Sequence, residues 1–466
     1  MSLANTHHTP GEIAACLADK KRLWFIGIGG VQMCALALLS RTRGFFVAGS
    51  DCAENEHTAT LRRAGVTVYP QHAAAHVADF DAVVYTLAIS AENPEYLAAL
   101  RLGLPLFSRA DYLGYLIAGY ERRVGVAGSH GKSTVTAMLG EIFHSAGRAP
   151  NVICGARMRR FGAPFTVGGG SDCIYEACEY GNSFLLLPPT LALILNAELD
   201  HVDFFENKAA LLRSFAAFAA NAEAVVVPYE DGELREALPK QVRQVTFGTA
   251  READYRAEAL TQSCGMGSFD LATPKGAVGH VTLGVPGMHN VKNALAAAAA
   301  AHLSGVAAAD ILVGLAAFRG AARRMEYRGI FCGARVFDDY AHHPTEIAAS
   351  LAAARELGAS GRLFVLFQSH TYSRTAAFFD EITAALRAAD RVFIADIYPA
   401  RETDTRGMSA AKLAEGVGER ATYAGGLSDT AAALARELQP NDLLVVMGAG
   451  DIDRIFAQFS KKHFTL

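Results

Sequence analysis

The chain has 466 residues, which at ~150 residues per domain sets an expectation of three domains. Apolar residues make up 51% and charged residues 19%, with 43 glycines and 15 prolines, which excludes a disordered, collagenous or coiled-coil chain. Lys+Arg (43) and Asp+Glu (47) nearly cancel to a net charge of -4, so bulk capture of nucleic acid is excluded, though a local basic pocket for a small anion is not.

Taken in order, the chain opens on a polar stretch, residues 1–10, without the apolar run of a signal peptide. Residues 23–28 read as a buried strand, 33–42 as a helix, 45–48 as a strand, 55–64 as a helix and 82–85 as a strand. Pro94 opens a helix, as proline does at a first helical turn, and 111–120 is another. The pattern then restarts: strand 122–127, a glycine-rich turn, helix 133–146. The middle is less regular, with strands at 173–177, 191–196 and 224–228, a helix at 208–220, and a hairpin over 262–270 and 279–285. The alanine-rich stretch 293–318 carries His302, Ser304, Gly305 and Asp310, and so reads as part of two packed helices, 290–303 and 309–318, not a membrane span. A third pattern starts near Tyr327: strands 335–337, 363–367, 391–395 and 443–447 alternate with helices 344–357, 375–389, 409–415 and 452–459. The expectation is an α/β protein with mostly parallel sheets, divided as 1–119, 120–322 and 323–466. Eight scattered cysteines without a Cys-x-x-Cys pair fit a reducing compartment, the cytosol by default.

Two glycine turns stand at strand-to-helix junctions. The first, Gly27-Ile28-Gly29-Gly30-Val31-Gln32, lacks the third glycine of the dinucleotide fingerprint. It reads either as a diphosphate cradle, with Ser50 and Asp51 ending the second strand beside it, or as a plain tight turn. The second, Gly128-Ser129-His130-Gly131-Lys132-Ser133-Thr134, is a shortened phosphate loop. Main-chain N–H groups at a helix N-terminus face phosphate oxygens, Lys132 adds a point charge, and Ser133 or Thr134 reaches a bound Mg2+. Glu176 and His201, near the carboxyl ends of strands, fall on the same side of the sheet. Taken singly, each is also explained as a loop salt bridge or a surface histidine. Asn290, in Gly287-Met288-His289-Asn290-x-x-Asn293, suits a helix N-cap or a neighbour of adenine. Arg324 stands where it could reach a phosphate. The run Asp338-Asp339-Tyr340-Ala341-His342-His343 holds more acids and imidazoles than a helix cap needs. Gln368-Ser369-His370-Thr371-Tyr372-Ser373-Arg374 fits a pocket for a small zwitterion.

In this order the motifs, with Glu-Ala-Cys-Glu-Tyr at 176–180 and Asn-x-x-x-Asp-His at 196–201, make the whole chain resemble the Mur ligases of bacterial peptidoglycan synthesis. The double histidine after Asp-Tyr-Ala and the Gln-x-His-x-Tyr-x-Arg run resemble the muramate-specific branch. The resemblance implies a Rossmann-like N-terminal domain for the UDP-sugar, a central phosphate-loop ATP domain, and a Rossmann-like C-terminal domain for the amino acid. It implies ATP-dependent joining of L-alanine to the lactyl carboxylate of UDP-N-acetylmuramate through an acyl phosphate. A recycling ligase that adds a tripeptide to the same sugar is the nearest alternative. A non-ligase nucleotide-binding module and an NAD-dependent oxidoreductase are more distant ones.

Carried onto this sequence, the resemblance makes Lys132, Glu176, His201, Arg324 and Asp339 catalytic. It places ATP against Gly128, Ser129, His130, Gly131, Lys132, Ser133, Thr134, His289, Asn290, Asn293, Arg324 and Asp339. Mg2+ falls at Ser133, Glu176 and His201, and the UDP-sugar at Gly27, Gly29, Gly30, Ser50 and Asp51. His342, His343, His370, Tyr372 and Arg374 line the amino-acid side. The expected partners are the three substrates, with no nucleic acid or membrane, and the expected state is a monomer or weak homodimer. Ser129, Ser133, Gln32, Thr371 and Gly181 depart from the family's commoner residues.

Overall fold

The computed structural model describes residue 3 and residues 5–202, 204–358, 360–400, 402–403, 407–459 and 464–465. Three sheets follow one another along the chain. The first is wholly parallel, in the order β3-β2-β1-β4-β5. Its strands are β1 (Arg22–Ile26), β2 (Phe46–Ser50), β3 (Thr67–Tyr69), β4 (Ala82–Tyr85) and β5 (Leu106–Ser108). The strand order reverses at β1, so the crevice beyond its carboxyl end opens at Gly27, where such sheets hold ligands.

The second sheet has ten strands: β6 (Arg122–Ala127), β7 (Asn151–Met158), β8 (Ala163–Thr166), β9 (Asp172–Glu176), β10 (Leu191–Ile194), β11 (Ala224–Pro228), β12 (Arg243–Gly248), β13 (Tyr255–Ser263), β14 (Met266–Thr273) and β15 (Gly276–Pro286). They lie in the order β15-β14-β13-β12-β11-β10-β6-β9-β7-β8. β6 sits between β10 and β9, in parallel with both, and leads into the phosphate-type loop. The third sheet runs β20-β19-β18-β21-β17-β16-β22, from β16 (Glu326–Phe331), β17 (Ala334–Asp339), β18 (Leu363–Phe367), β19 (Arg391–Ile394), β20 (Ala421–Tyr423), β21 (Leu443–Met447) and β22 (Phe464–Thr465).

Central strands such as β18 and β21 are buried at every residue, as strands covered by helices on both faces must be. One continuous core joins the first unit to a face of the second sheet, through Phe25, Tyr112, Phe184, Phe215 and Phe218. The opposite face of that sheet is packed by the alanine-rich helix Met288–Leu303 and by Ala308–Ala317. Among the described residues no helix is long and apolar enough to cross a membrane.

Several expectations need correction. The hairpin over 262–285 is a three-stranded antiparallel meander, β13-β14-β15. Positive φ at Cys264, Gly265 and Gly276 turns the chain twice. The helix over 375–389 is two helices, Tyr372–Ala377 and Phe379–Leu386, divided where Phe378 leaves helical geometry at φ -119°, ψ 27°. The terminal helix is a 3-10 segment, Ile452–Ala457. Helix Pro10–Leu17 begins at the end of the polar stretch 1–10, started by a capping box between Thr9 and Glu12. Helices Gly232–Ala237 and Leu427–Glu437 and strands β3, β5, β7, β8, β12, β16, β20 and β22 have no counterpart among the expected elements.

Candidate active site

At the end of β6 the chain turns through Gly128–Gly131 into helix Lys132–Ser145. Gly131 caps that helix with φ 83°, and a Cβ there would stand 2.8 Å from Asn293 Oδ1, so only glycine fits. Asn196, beyond β10, clamps the turn: its Oδ1 accepts the His130 N–H at 2.9 Å and its Nδ2 donates to the His130 carbonyl at 3.1 Å. The Ser129 hydroxyl donates to the Glu198 carbonyl at 2.6 Å. The loop is thus shaped by its own neighbours, with the free N–H groups of a helix start at its end.

Lys132 is folded back onto this loop. Its Nζ donates to the carbonyls of Gly128 (2.5 Å) and Ser129 (3.1 Å) and to both carboxylate oxygens of Glu179 at 3.0 Å. Burial works against the ammonium charge, but Glu179, Cys178 and Glu176 more than offset it and hold the lysine above its usual range. The Glu179 carboxyl is held low by the same pairing, against its own burial. Ser133 Oγ donates to Glu176 Oε2 at 2.8 Å, and the Gly155 N–H donates to the same oxygen at 2.7 Å. His201 does not join that pair. Its Nε2 lies 3.5 Å from Glu179 Oε1, and its ring rests 4.8 Å from that of Tyr180. The expected metal trio therefore divides into Ser133–Glu176 and His201–Glu179, because the Glu179 charge draws both the lysine and the imidazole.

A cavity of about 510 Å³ opens beside the loop. His130, Gly131, Thr134, His289, Asn290, Asn293, Arg324 and Asp339 all border it, joined by Glu198, Lys292 and Glu346. Gly128, Ser129, Lys132 and Ser133 are not in its lining. Asn290 is not the helix cap, which falls on Gly287; its Nδ2 donates to the Pro286 carbonyl at 2.7 Å, and its Oδ1 accepts from Asn293 at 3.1 Å. Burial lowers His289 to about 4, leaving a neutral imidazole. Arg324 lies 5.0 Å over the Tyr340 ring. Asp339 accepts the main-chain N–H groups of Met325 (2.7 Å) and Ala341 (2.8 Å), and burial raises its carboxyl.

The third unit closes over this region. Arg374 donates to Asp200 Oδ1 from Nε (2.9 Å) and Nη2 (2.5 Å), a pair buried on both sides. Its Nη1 stands 3.1 Å from His370 Nδ1. His370 stacks on Tyr398 and lies 5.8 Å from the His342 ring. His342 Nδ1 is 3.0 Å from the Tyr340 carbonyl and 3.3 Å from Glu346 Oε2. Burial pushes both His342 and His370 down to about 4. His343 caps helix Pro344–Glu356, and its ring lies 4.6 Å from that of His130. Tyr372 begins the short helix that carries Arg374. Thr371 caps that helix at φ 64°.

In the first unit, Gly27, Gly29 and Gly30 form the turn after β1. Asp51 faces inward: its Oδ2 accepts the Gly29 N–H at 2.8 Å and its Oδ1 the Ala53 N–H at 2.9 Å. Ser50 is fully buried, donating to Glu95 Oε2 at 2.5 Å, with His72 Nδ1 at 2.8 Å. Both residues shape the crevice from behind. Gln32 receives a hydrogen bond from Arg109, which gives the missing glycine a structural use. Gly181 holds φ 62° ahead of Asn182 at φ 54°, a left-handed pair that glycine makes affordable.

Sequence reasoning missed Glu179, Asn196, Glu198, Asp200 and Glu346. All five lie inside or beside quoted motifs; the signal that could have found the four acids is their surplus there over what helix capping needs, and Asn196 carries no such signal.

Known proteins resemble this chain along its length. Residues 22–121 match the family model described as "Mur ligase family, catalytic domain", 126–301 the "Mur ligase middle domain", and 323–450 "Mur ligase, glutamate ligase domain". The UDP-N-acetylmuramate--L-alanine ligase of Caldicellulosiruptor bescii is 37% identical over 95% of this chain and 98% of its own. That of Lachnospira eligens is 40% identical over 92% and 96%. The solved UDP-N-acetylmuramate-alanine ligase of Thermotoga maritima superposes with a TM-score of 0.80 at 29% identity, over 95% of this chain and 98% of that one.

Proposed function

The chain belongs to the Mur ligase family, and from that premise we propose that it joins L-alanine to the lactyl carboxylate of UDP-N-acetylmuramate at the expense of ATP. It is an ATP-dependent ligase of peptidoglycan synthesis, and the tripeptide-adding alternative is not favoured by its relatives. The observation that carries the reading is the Lys132–Glu179–His201 series, centred on the buried Glu179, beside Ser133–Glu176 and next to a cavity of nucleotide size.

In this reading the three units divide the labour. Residues 1–119 hold the UDP-sugar at Gly27, Gly29 and Gly30, with Ser50 and Asp51 shaping the crevice. Residues 120–322 hold ATP along 128–134 and at His289, Asn290 and Asn293. Residues 323–466 bring Arg324 and Asp339 to the nucleotide and His342, His343, His370, Tyr372 and Arg374 to the amino acid. The Ser133 hydroxyl and Glu176 carboxylate offer the oxygen donors that Mg2+ prefers, so these two residues fit that ion and would hold it, while His201, paired with Glu179, stands beside them. Bound there, Mg2+ supplies charge neutralisation for the phosphate oxygens.

The chain's own residues do the rest. The ammonium of Lys132 exchanges Glu179 for phosphate oxygens, screening the approach of two anions, the lactyl carboxylate and the γ-phosphate. Phosphoryl transfer gives an acyl phosphate, the amine of L-alanine attacks its carbonyl carbon, and inorganic phosphate leaves. The seam between the central and third units excludes water from that intermediate. The eight free thiols suit work in the cytoplasm, as a monomer or weak homodimer. The test is turnover with L-alanine against turnover with L-alanyl-γ-D-glutamyl-diaminopimelate. L-alanine is the expected substrate; preference for the tripeptide overturns the assignment.

A further inference from the structure

One group of side chains lies apart from the magnesium residues and has metal-ligand chemistry. Among the described residues, His130, Glu198 and His343 each offer a ligand atom, all within 4.8 Å of one another. His130 and Glu198 belong to the central unit, and His343 comes from the third.

Glu198 Oε2 is the meeting point. His130 Nε2 stands 3.5 Å from it and His343 Nδ1, which also accepts the Thr345 N–H at 3.4 Å, stands 3.9 Å from it; the Thr345 hydroxyl donates to the same Glu198 oxygen at 2.5 Å. Ligand atoms around a tetrahedral zinc lie ~3.3 Å apart, given bonds near 2.0–2.2 Å. The three ligand atoms, all within 4.8 Å of one another, reach that spacing by a contraction of about 1.5 Å at most. His130 is also oriented as metal-binding histidines are. Its Nδ1 is paired with Glu346 Oε1 at 3.1 Å, which fixes the ring and turns Nε2 toward Glu198. A second observation points the same way. His130 Nε2 and His343 Nε2 are both buried and have no hydrogen-bond partner among the described residues, a condition buried polar atoms rarely keep.

We propose that His130, Glu198 and His343 form a second cation site, for a borderline dication such as Zn2+ or Co2+, that ties the third unit to the phosphate-type loop. The donor set of two imidazoles and one carboxylate selects against Mg2+, which favours oxygen ligands. Binding forms metal–nitrogen and metal–oxygen bonds without redox change, and any proton on His130 Nε2 leaves to solvent. His130 and Glu198 also border the nucleotide-sized cavity, so an ion here sits at its edge and holds the seam shut. The site stands independently of the ligase reading.

Co2+ titration of the full chain, with Mg2+ in excess, tests this by visible absorption. The expected result is one equivalent of Co2+ giving the intense bands of a four- or five-coordinate site, bleached by Zn2+. Glu198→Gln and His343→Gln, substituted on opposite sides of the seam, should each abolish the bands. Glu346→Gln, which removes the orienting carboxylate, should weaken Co2+ binding ~10-fold or more. Glu176→Gln, outside the cluster, should leave the spectrum unchanged. Thermal unfolding of each variant without Co2+ checks that it is folded. Absence of the bands in the parent chain, or their persistence in folded Glu198→Gln or His343→Gln, overturns the proposal.

Discussion

At the scale of single residues, the site is organised by charges that compensate each other before any substrate arrives. Lys132 is an almost fully enclosed cation whose counter-ion is Glu179. Removing one partner of such a pair leaves an uncompensated buried charge, at a cost of about 3–5 kcal/mol. Glu179→Gln should therefore melt earlier than the parent without nucleotide, and ATP, which supplies the missing negative charge, should raise its melting temperature more than the parent's. An equal ATP-induced shift in both would contradict the pairing. His289 and His370 work in the opposite sense, as imidazoles kept neutral by burial at about 4 against an ordinary value of 6.5. A histidine lowered on folding binds fewer protons in the native state, so stability is complete above 6.5 and is lost as pH falls toward 4. Denaturant unfolding should show that acid limb, and His289→Asn should make it shallower.

At the scale of elements, the strand–loop–helix at 122–145 is the unit on which the chemistry stands. Its glycines and Lys-Ser-Thr sequence announce the loop, but nothing in the local sequence reveals that Asn196 clamps it from another strand. Gly131→Ala forces a left-handed φ on a β-carbon, about 1–2 kcal/mol, and drives that carbon against Asn293. The expected outcome is a raised KM for ATP with little change in KM for L-alanine. Long strands buried on both faces, such as β18, were legible as apolar runs. The meander β13–β15 was not read whole, because its turn at Cys264-Gly265 carries no proline or Asn-Gly signal. The break at Phe378 escaped for a similar reason. An apolar residue continues the helical pattern in sequence, and only its packing 4.9 Å from the His343 ring shows why the chain bends there.

At the scale of the whole molecule, three sheets and the motifs at their carboxyl ends could be read from the sequence, whereas the pairings across units could not. Asp200 and Arg374 are 174 residues apart in the chain, and their buried contact exists only once the third unit has docked. Asp200→Asn should loosen that docking, seen as a larger radius of gyration in solution scattering. Asp200→Asn combined with Arg374→Met, which removes both charges, should recover part of the compactness. The same geography explains the misplacement of His201: sequence order sets it near Glu176, but the fold brings it to Glu179. The account as a whole rests on a carboxylate activated by ATP under the charge of Lys132. Its most direct test is inorganic phosphate released from ATP with UDP-N-acetylmuramate, with and without L-alanine, by the parent chain and by Lys132→Ala. The account predicts release that needs both substrates and falls by about 10²-fold or more in the variant; release indifferent to L-alanine, or undiminished in Lys132→Ala, would contradict it.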